Sequence, residues 1–391
     1  LTFFSSVGQT FFIGFYSAEL RGTLSLSHGQ FGLIYMFATL ASAISLVFIG
    51  KSVDIWSVRR MAAVTVCALS VACLFMANAA SVPMLLLTIY LLRLLGQGMM
   101  SHIAVTAMGR WYSRERGRAI AVCTLGHQLG DGLLPMLLVV LSSWISWQKQ
   151  WYLFAVALLF LALPLLLTLL QKDRTPHTVQ AQDSIDMPSW AIRDVKRDWA
   201  FYPMCLAVLT PSFIGTSILF NQVHLRELEG WSADTLAAAF VCLALANMVV
   251  GMIAGIVVDK HSATRVFPFY LLPLAAACFT LAFLNDPSLA FVFMTLLGIS
   301  YGISNIAFGA IWAESYGTDN LGAIRAIATA SMVLGSALSP GVSGLLIDAG
   351  VDIDVQLRFM GLFCLGLFVS LLFVSNQLAK RRRVLKRAVT E

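Results

Sequence analysis

His127 and Asp131 stand four residues apart in an otherwise apolar run, and Arg93 stands in the apolar run before it. Four residues on a helix put an imidazole and a carboxylate on one face, within reach of each other. Imidazole titrates near physiological pH, so this pair has the chemistry to take up and release a proton; the competing reading is a histidine that hydrogen-bonds a neighbouring helix. An arginine inside an apolar span is costly unless something offsets its charge. At 1.5 Å per residue Arg93 lies about 14 Å from one end of its helix, and Asp131 lies at a similar depth in the next, antiparallel one. The two charges can therefore pair. Arg93 is then either a receptor for an anionic substrate or half of a permanent ion pair. His102 is half a turn away from Arg93 on the helix, which assigns it to packing rather than to the same surface.

Other polar residues recur inside apolar runs. Gln9 and Tyr16 share a helix face by their spacing, as do Tyr301 and Asn305. Gln97, Asn221, Gln222 and Asn247 add to the set. Singly, each reads as an interhelical hydrogen bond; together they describe a moderately polar pocket. Gly126, Gly130, Gly132, Gly298 and Gly302 read as sites of tight helix packing. There is no Walker A lysine loop, HExxH, CxxC or GxSxG, so neither catalysis nor a cofactor nor a metal is expected. The seven cysteines all lie in apolar runs, which argues against a disulfide framework.

The elements that hold these residues are membrane spans. The chain is 59% hydrophobic and 12% charged, with mean hydropathy +0.81, against roughly 25% charged in soluble domains. Runs of spanning length fall near 1–20, 31–49, 61–79, 84–109, 118–142, 150–170, 199–224, 235–258, 266–284, 288–313, 323–347 and 357–378. That predicts an all-α polytopic membrane protein of twelve helices. Of 26 Lys and Arg, 21 fall in alternate loops and the C-terminal tail, which places those loops and the tail in the cytoplasm. The net charge of +6 is thus arranged for lipid, and nucleic acid is excluded as a partner. The chain opens at Leu1 already within an apolar segment, as expected of a trimmed start. The polar stretch 171–198 separates a six-helix bundle over 1–170 from a second over 199–379, followed by the basic tail 380–391.

The halves repeat. Gly50, Asp54 and Arg60 recur 205 residues later as Gly255, Asp259 and Arg265, and Ser27, Gly117, Gly130 and Pro135 recur as Ser232, Gly322, Gly335 and Pro340. A parallel repeat of six-helix units is a transporter signature. Gly50, Asp54, Arg59 and Arg60, with Asp259, Lys260 and Arg265 in the second copy, combine a carboxylate at a helix end, cations beyond it and a glycine for close approach. Such a set can latch two halves at the cytoplasmic face; the alternative is a charge cluster serving topology alone.

With these motifs the chain resembles the major facilitator superfamily over essentially its whole length. The GxxxD…RR motif departs from the family pattern at Ile55, Ser57 and Ser262. Arg93 with Gly96, Gln97 and Gly98 resembles the family's fourth-helix motif. RWYSRERGRAIA, followed by a glycine-spaced helix, is similar to the monocarboxylate, oxalate–formate and nitrate–cyanate branches. Gly117, Gly126 and Gly130 match the antiporter spacing, but Asp131 stands where that motif has proline. The resemblance implies that helices 1, 4, 7 and 10 line the pathway. The expected function is symport of a small organic anion with a proton by alternating access, by a monomer in a bacterial inner membrane. The alternatives are proton-driven efflux of hydrophobic compounds and a non-transporting sensor of the same fold.

Overall fold

The computed structural model describes residues 1–111, 116–170, 190–283, 286, 288–317 and 320–390. Among the described residues every regular element is helical. In chain order these are α1 (Thr10–Phe15), α2 (Ser17–Leu24), α3 (His28–Ile49), α4 (Val58–Ala77), α5 (Val82–Met108), α6 (Arg116–Ser142), α7 (Trp147–Leu169), α8 (Phe201–Phe220), α9 (Gln222–Leu228), α10 (Ala233–His261), α11 (Ala263–Ala282), α12 (Leu289–Tyr316), α13 (Leu321–Asp348) and α14 (Ile353–Thr390). Among the described residues, eleven helices are long and apolar enough to span a bilayer. The protein is an integral membrane protein, and the first apolar segment completes the twelve.

That first segment is not the continuous helix expected over 1–20. A 3₁₀ turn, Phe4–Gly8, runs into an extended Gln9 (φ −79°, ψ 158°). Then α1 stops at Tyr16 and α2 restarts. The cause is tertiary. A side chain at Gly8 would run into the Leu92 carbonyl and the Gly96 backbone, so two chains touch where neither carries a Cβ.

The repeated residues occupy matching places. Ser27 and Gln30 cap α3 reciprocally; 205 residues on, the Thr235 amide donates to Ser232 Oγ (3.0 Å) at the start of α10. Pro135 lies inside α6 and Pro340 inside α13.

Contacts divide the chain into two compact units. The first comprises Leu1–Ala181, Thr216–Val241 and Ala337–Gly350; the second comprises Gln182–Gly215, Cys242–Ser336 and Val351–Glu391. Helices α8, α10 and α13 thus contribute to both. Of the expected linker, 171–189 lies outside the described residues.

The first unit is closed by small residues and aromatic stacking. Gly32 abuts the Pro340 carbonyl and Gly344 the His28 carbonyl, while Phe31 stacks on Phe220 with centroids 5.0 Å apart. The Asp348 carboxylate accepts from Ser27 Oγ (2.6 Å) and the Gly29 amide (2.9 Å), a favourable place for an anion at the N-terminus of α3.

The second unit has a clasp that the sequence reading missed. Arg381 forks onto Asp198 with Nη1–Oδ2 2.6 Å and Nη2–Oδ1 2.9 Å, and the Tyr316 hydroxyl also donates to Oδ2 (3.1 Å). Trp190 lies under the guanidinium, 5.7 Å from Cζ to centroid. Burial alone would raise the Asp198 carboxyl; the Arg381 fork, the Ala200 amide and Tyr316 outweigh it and hold the group below its ordinary range.

An unfolded aspartate takes up a proton near pH 4, so the clasp stabilises fully above that value and is lost as pH falls through the lower folded value. Arg381→Gln, which leaves a buried carboxylate with a neutral partner, is expected to cost about 2–4 kcal/mol at pH 7. In thermal melts the gap from wild type should be constant above about pH 5 and shrink below about pH 4. A gap that did not change with pH would remove Asp198 from the explanation.

Candidate functional site

The site is built where the broken first segment meets α5. Helix α5 is α-helical over Val82–Leu92, widens to a π-helix over Arg93–Met100, and returns to α from Ser101. A widened turn re-aims side chains and is common at functional sites; here it is packed against the glycine contact of Gly8 with Gly96.

Arg93 opens the π-helix and is buried. Its Nη1 donates to the Gly8 carbonyl (3.4 Å) and to Thr10 Oγ1 (3.3 Å), both long bonds. Its Cζ lies 5.3 Å from the Tyr35 ring centroid, and the Tyr35 hydroxyl is 2.7 Å from Thr10 Oγ1. Among the described residues Arg93 Nε has no hydrogen-bond partner. Each of these contacts is neutral. The ion pair with Asp131 that the sequence suggests does not form, because Arg93 is directed to the Gly8–Thr10 break instead.

His127 and Asp131 share α6 but do not bond each other. His127 Nε2 lies 3.0 Å from Ser101 Oγ, and Ser5 Oγ lies 3.4 Å from both ring nitrogens. Asp131 is partly accessible and forms no hydrogen bond or ion pair with a described residue. On the same helix Gly126 lies against Thr2, and Gly130 against Ser6 and the Phe3 carbonyl. The glycines therefore pack the first segment, as their type predicts, and in doing so bring Ser5 to His127.

The remaining expected residues scatter. Gln9 sits at the break itself, partly accessible, and the backbone nitrogen of Gln97 lies against Gly8. Tyr16 does not share a face with Gln9, because the chain is extended at Gln9 and breaks again at Tyr16. It is fully buried, donating to Gln150 Oε1 (2.8 Å) and packing on Trp151. Asn221 donates to the Ser217 carbonyl (2.9 Å) and Ser343 Oγ (3.2 Å), and Gln222 donates to the Phe11 carbonyl (2.5 Å). These three act as interhelical bonds. In the second unit, Tyr301 places its hydroxyl against Gly215, and Asn247 and Asn305 are accessible to different degrees. Gly298 and Gly302 pack α12 on α10.

Among the latch residues, Gly50 is buried and its carbonyl is 3.2 Å from Nε2 of His102, which is itself exposed. The Asp54 side chain lies outside the described residues. Arg59, Arg60, Asp259, Lys260 and Arg265 are exposed. Asp259 does not hold the second turn. Glu314 does, from α12, with the Ser262 hydroxyl (2.5 Å) and the Ala263 amide (2.9 Å) donating to its carboxylate. The free amides at the start of α11 call for an acceptor. Glu314, an acid at the polar end of an apolar helix, was the available signal.

A sequence model of the Major Facilitator Superfamily matches residues 1–250 and, in a second match, 212–389. The chain belongs to the major facilitator superfamily. No curated protein matches it significantly by sequence. Among solved superfamily structures, a bacterial homolog of the human lysosomal transporter Spinster, in its inward-facing occupied conformation, is 16% identical. That match covers 99% of this chain and 94% of that one, with a TM-score of 0.68. The nucleoside transporter NupG is 15% identical, covering 97% of each chain at a TM-score of 0.66. At such identities the likeness establishes the superfamily fold.

Because Tyr16 serves Gln150, Tyr16→Phe is expected to lower stability by about 1 kcal/mol and to leave the affinity for transported solute unchanged. Thermal melts alongside counterflow assays check this; a changed half-saturation with an unchanged melt would return Tyr16 to the pathway.

Proposed function

We propose that this member of the superfamily moves a small organic anion, such as a carboxylate, together with a proton by alternating access. The observation that carries the reading is Arg93: a buried guanidinium whose partners among the described residues are a carbonyl, a hydroxyl and an aromatic face. A buried cation with only neutral acceptors is poorly compensated, and a carboxylate that reached it would make a charge-assisted, forked contact. Proton coupling is assigned to His127 and Asp131. Asp131 has no described partner that would hold it in one charge state, and His127 is tied only to hydroxyls. The break at Gln9 supports a binding site at this level, since interrupted spans in transporters are where irregular backbone meets cargo. The Lys and Arg asymmetry supports a cytoplasmic C-terminus in a bacterial inner membrane. The chain acts as a monomer with no cofactor.

In proteoliposomes, uptake of labelled mono- and dicarboxylates is expected to rise with an inward proton gradient. Arg93→Gln should reduce uptake on the order of 100-fold, and Arg93→Lys should retain part of it. Asp131→Asn and His127→Ala should preserve counterflow but abolish the response to the gradient. Saturable uptake of a neutral solute that survived Arg93→Gln would sink the anion assignment. An unchanged gradient response in both α6 variants would sink the coupling assignment.

A further inference from the structure

Where α10 ends and α11 begins, the second unit carries two contiguous grooves that share Arg265 and Phe269. The first, about 490 Å³, runs between α10 and α12 past Ile253, Val257 and Ile303, and its walls are mostly apolar. The second, about 520 Å³, lies between the start of α11 and α14. It passes Leu372 and Phe373 and turns polar toward Asn376 and Lys380. Phe269, 47% exposed, stands as a ridge between them. Ser375 Oγ donates to the Thr264 carbonyl at 2.7 Å, so the helices flanking the second groove are bonded to each other and their spacing is set.

We infer that these grooves bind one two-chain anionic phospholipid, with its phosphate at Arg265 and Lys380 and one acyl chain on each side of Phe269. Arg265 and Lys380 are both exposed, and neither side chain bonds to a described residue. The carboxylate at this turn, Glu314, accepts from the Ser262 hydroxyl and the Ala263 and Thr264 amides rather than facing the grooves. Asp259 and Lys260, in the last turn of α10, are of opposite sign. His261 rims the first groove and keeps its Nδ1 at the Val257 carbonyl (3.3 Å). Two uncommitted cations thus sit at the second groove, where it turns polar past Leu372 and Phe373, and Arg265 also borders the apolar first groove. Basic pockets between spanning helices recognise anionic headgroups, and each channel offers apolar surface to a buried chain. A zwitterionic lipid would bring its own cation toward Arg265 and Lys380. A free phosphate would use neither channel. This site stands independently of the transport reading.

The test uses the full chain, delipidated in an uncharged detergent, with thermal protection titrated against dioleoyl phosphatidylglycerol and dioleoyl phosphatidylcholine. The anionic lipid is expected to half-saturate at a concentration on the order of tenfold lower, given two cations at the surface. Arg265→Gln with Lys380→Gln should bring the two lipids within about twofold of each other. Ile253→Trp, which fills the first channel from an exposed position, should weaken protection by both lipids while leaving the lipid-free melt unchanged. Arg193→Gln with Lys196→Gln removes equal charge on the segment that precedes α8 and should keep the preference. Three results would overturn the proposal: an equal loss in that second pair, retention of the preference in the first, or equal protection by glycerol phosphate or inorganic phosphate.

Discussion

A span that breaks inside a bilayer must satisfy its freed backbone groups from protein, because lipid offers no hydrogen bonds. In this chain the break at Gln9 and the buried charge of Arg93 answer each other. The Gly8 carbonyl, where the first segment leaves its 3₁₀ turn, accepts from Arg93, and Thr10, just past the break, supplies the second acceptor. Neither would be tolerable alone. The contact requires Gly8 and Gly96 to meet without side chains, and it coincides with the π-helical stretch of α5. The glycines of α6, packed on the same first segment, bring Ser5 to His127. The candidate site is therefore a consequence of how one interrupted span is held.

Three acids among the described residues are committed to helix ends rather than to a buried cation. Asp348 serves the start of α3, Glu314 the start of α11, and Asp198 the Ala200 amide at the start of α8 together with Arg381. Helix N-termini present unpaired amides and a partial positive charge, so carboxylates are favoured there. With these acids committed to helix ends and Asp131 bonded to no described residue, the partners of the buried guanidinium among the described residues are all neutral. The same allocation frees Arg265 and Lys380 on the exposed face of the second unit, because Glu314 points into the turn.

The class of molecule was legible in the sequence because hydropathy and the placement of Lys and Arg report on solvent, which acts on each segment separately. The 205-residue repeat was legible too. Ser27 and Ser232, and Pro135 and Pro340, mark caps and helix interiors that depend on local chemistry. Arg93, His127 and Asp131 stood out because ionisable residues are rare inside spans. Gly126, Gly130, Gly298 and Gly302 were read as packing, and their close approaches agree with that.

What the sequence left open were the partners. Spacing along a helix says which residues share a face only while the helix continues. The breaks at Gln9 and Tyr16 separated two residues whose spacing put them together, and sent Tyr16 to Gln150. The pairing of Arg93 with Asp131 was allowed by depth, yet depth says nothing of direction around the helix, and the interrupted segment took the guanidinium instead. The Asp198–Arg381 clasp joins residues 183 positions apart, and Glu314 reaches a turn some 50 positions upstream. The sequence by itself determined the solvent, the spans, the repeat and the short list of charges worth watching, since each follows from local composition. Only the tertiary structure decided which charge meets which group, because that depends on where other segments pass, and a glycine, a break or a wide turn redirects it.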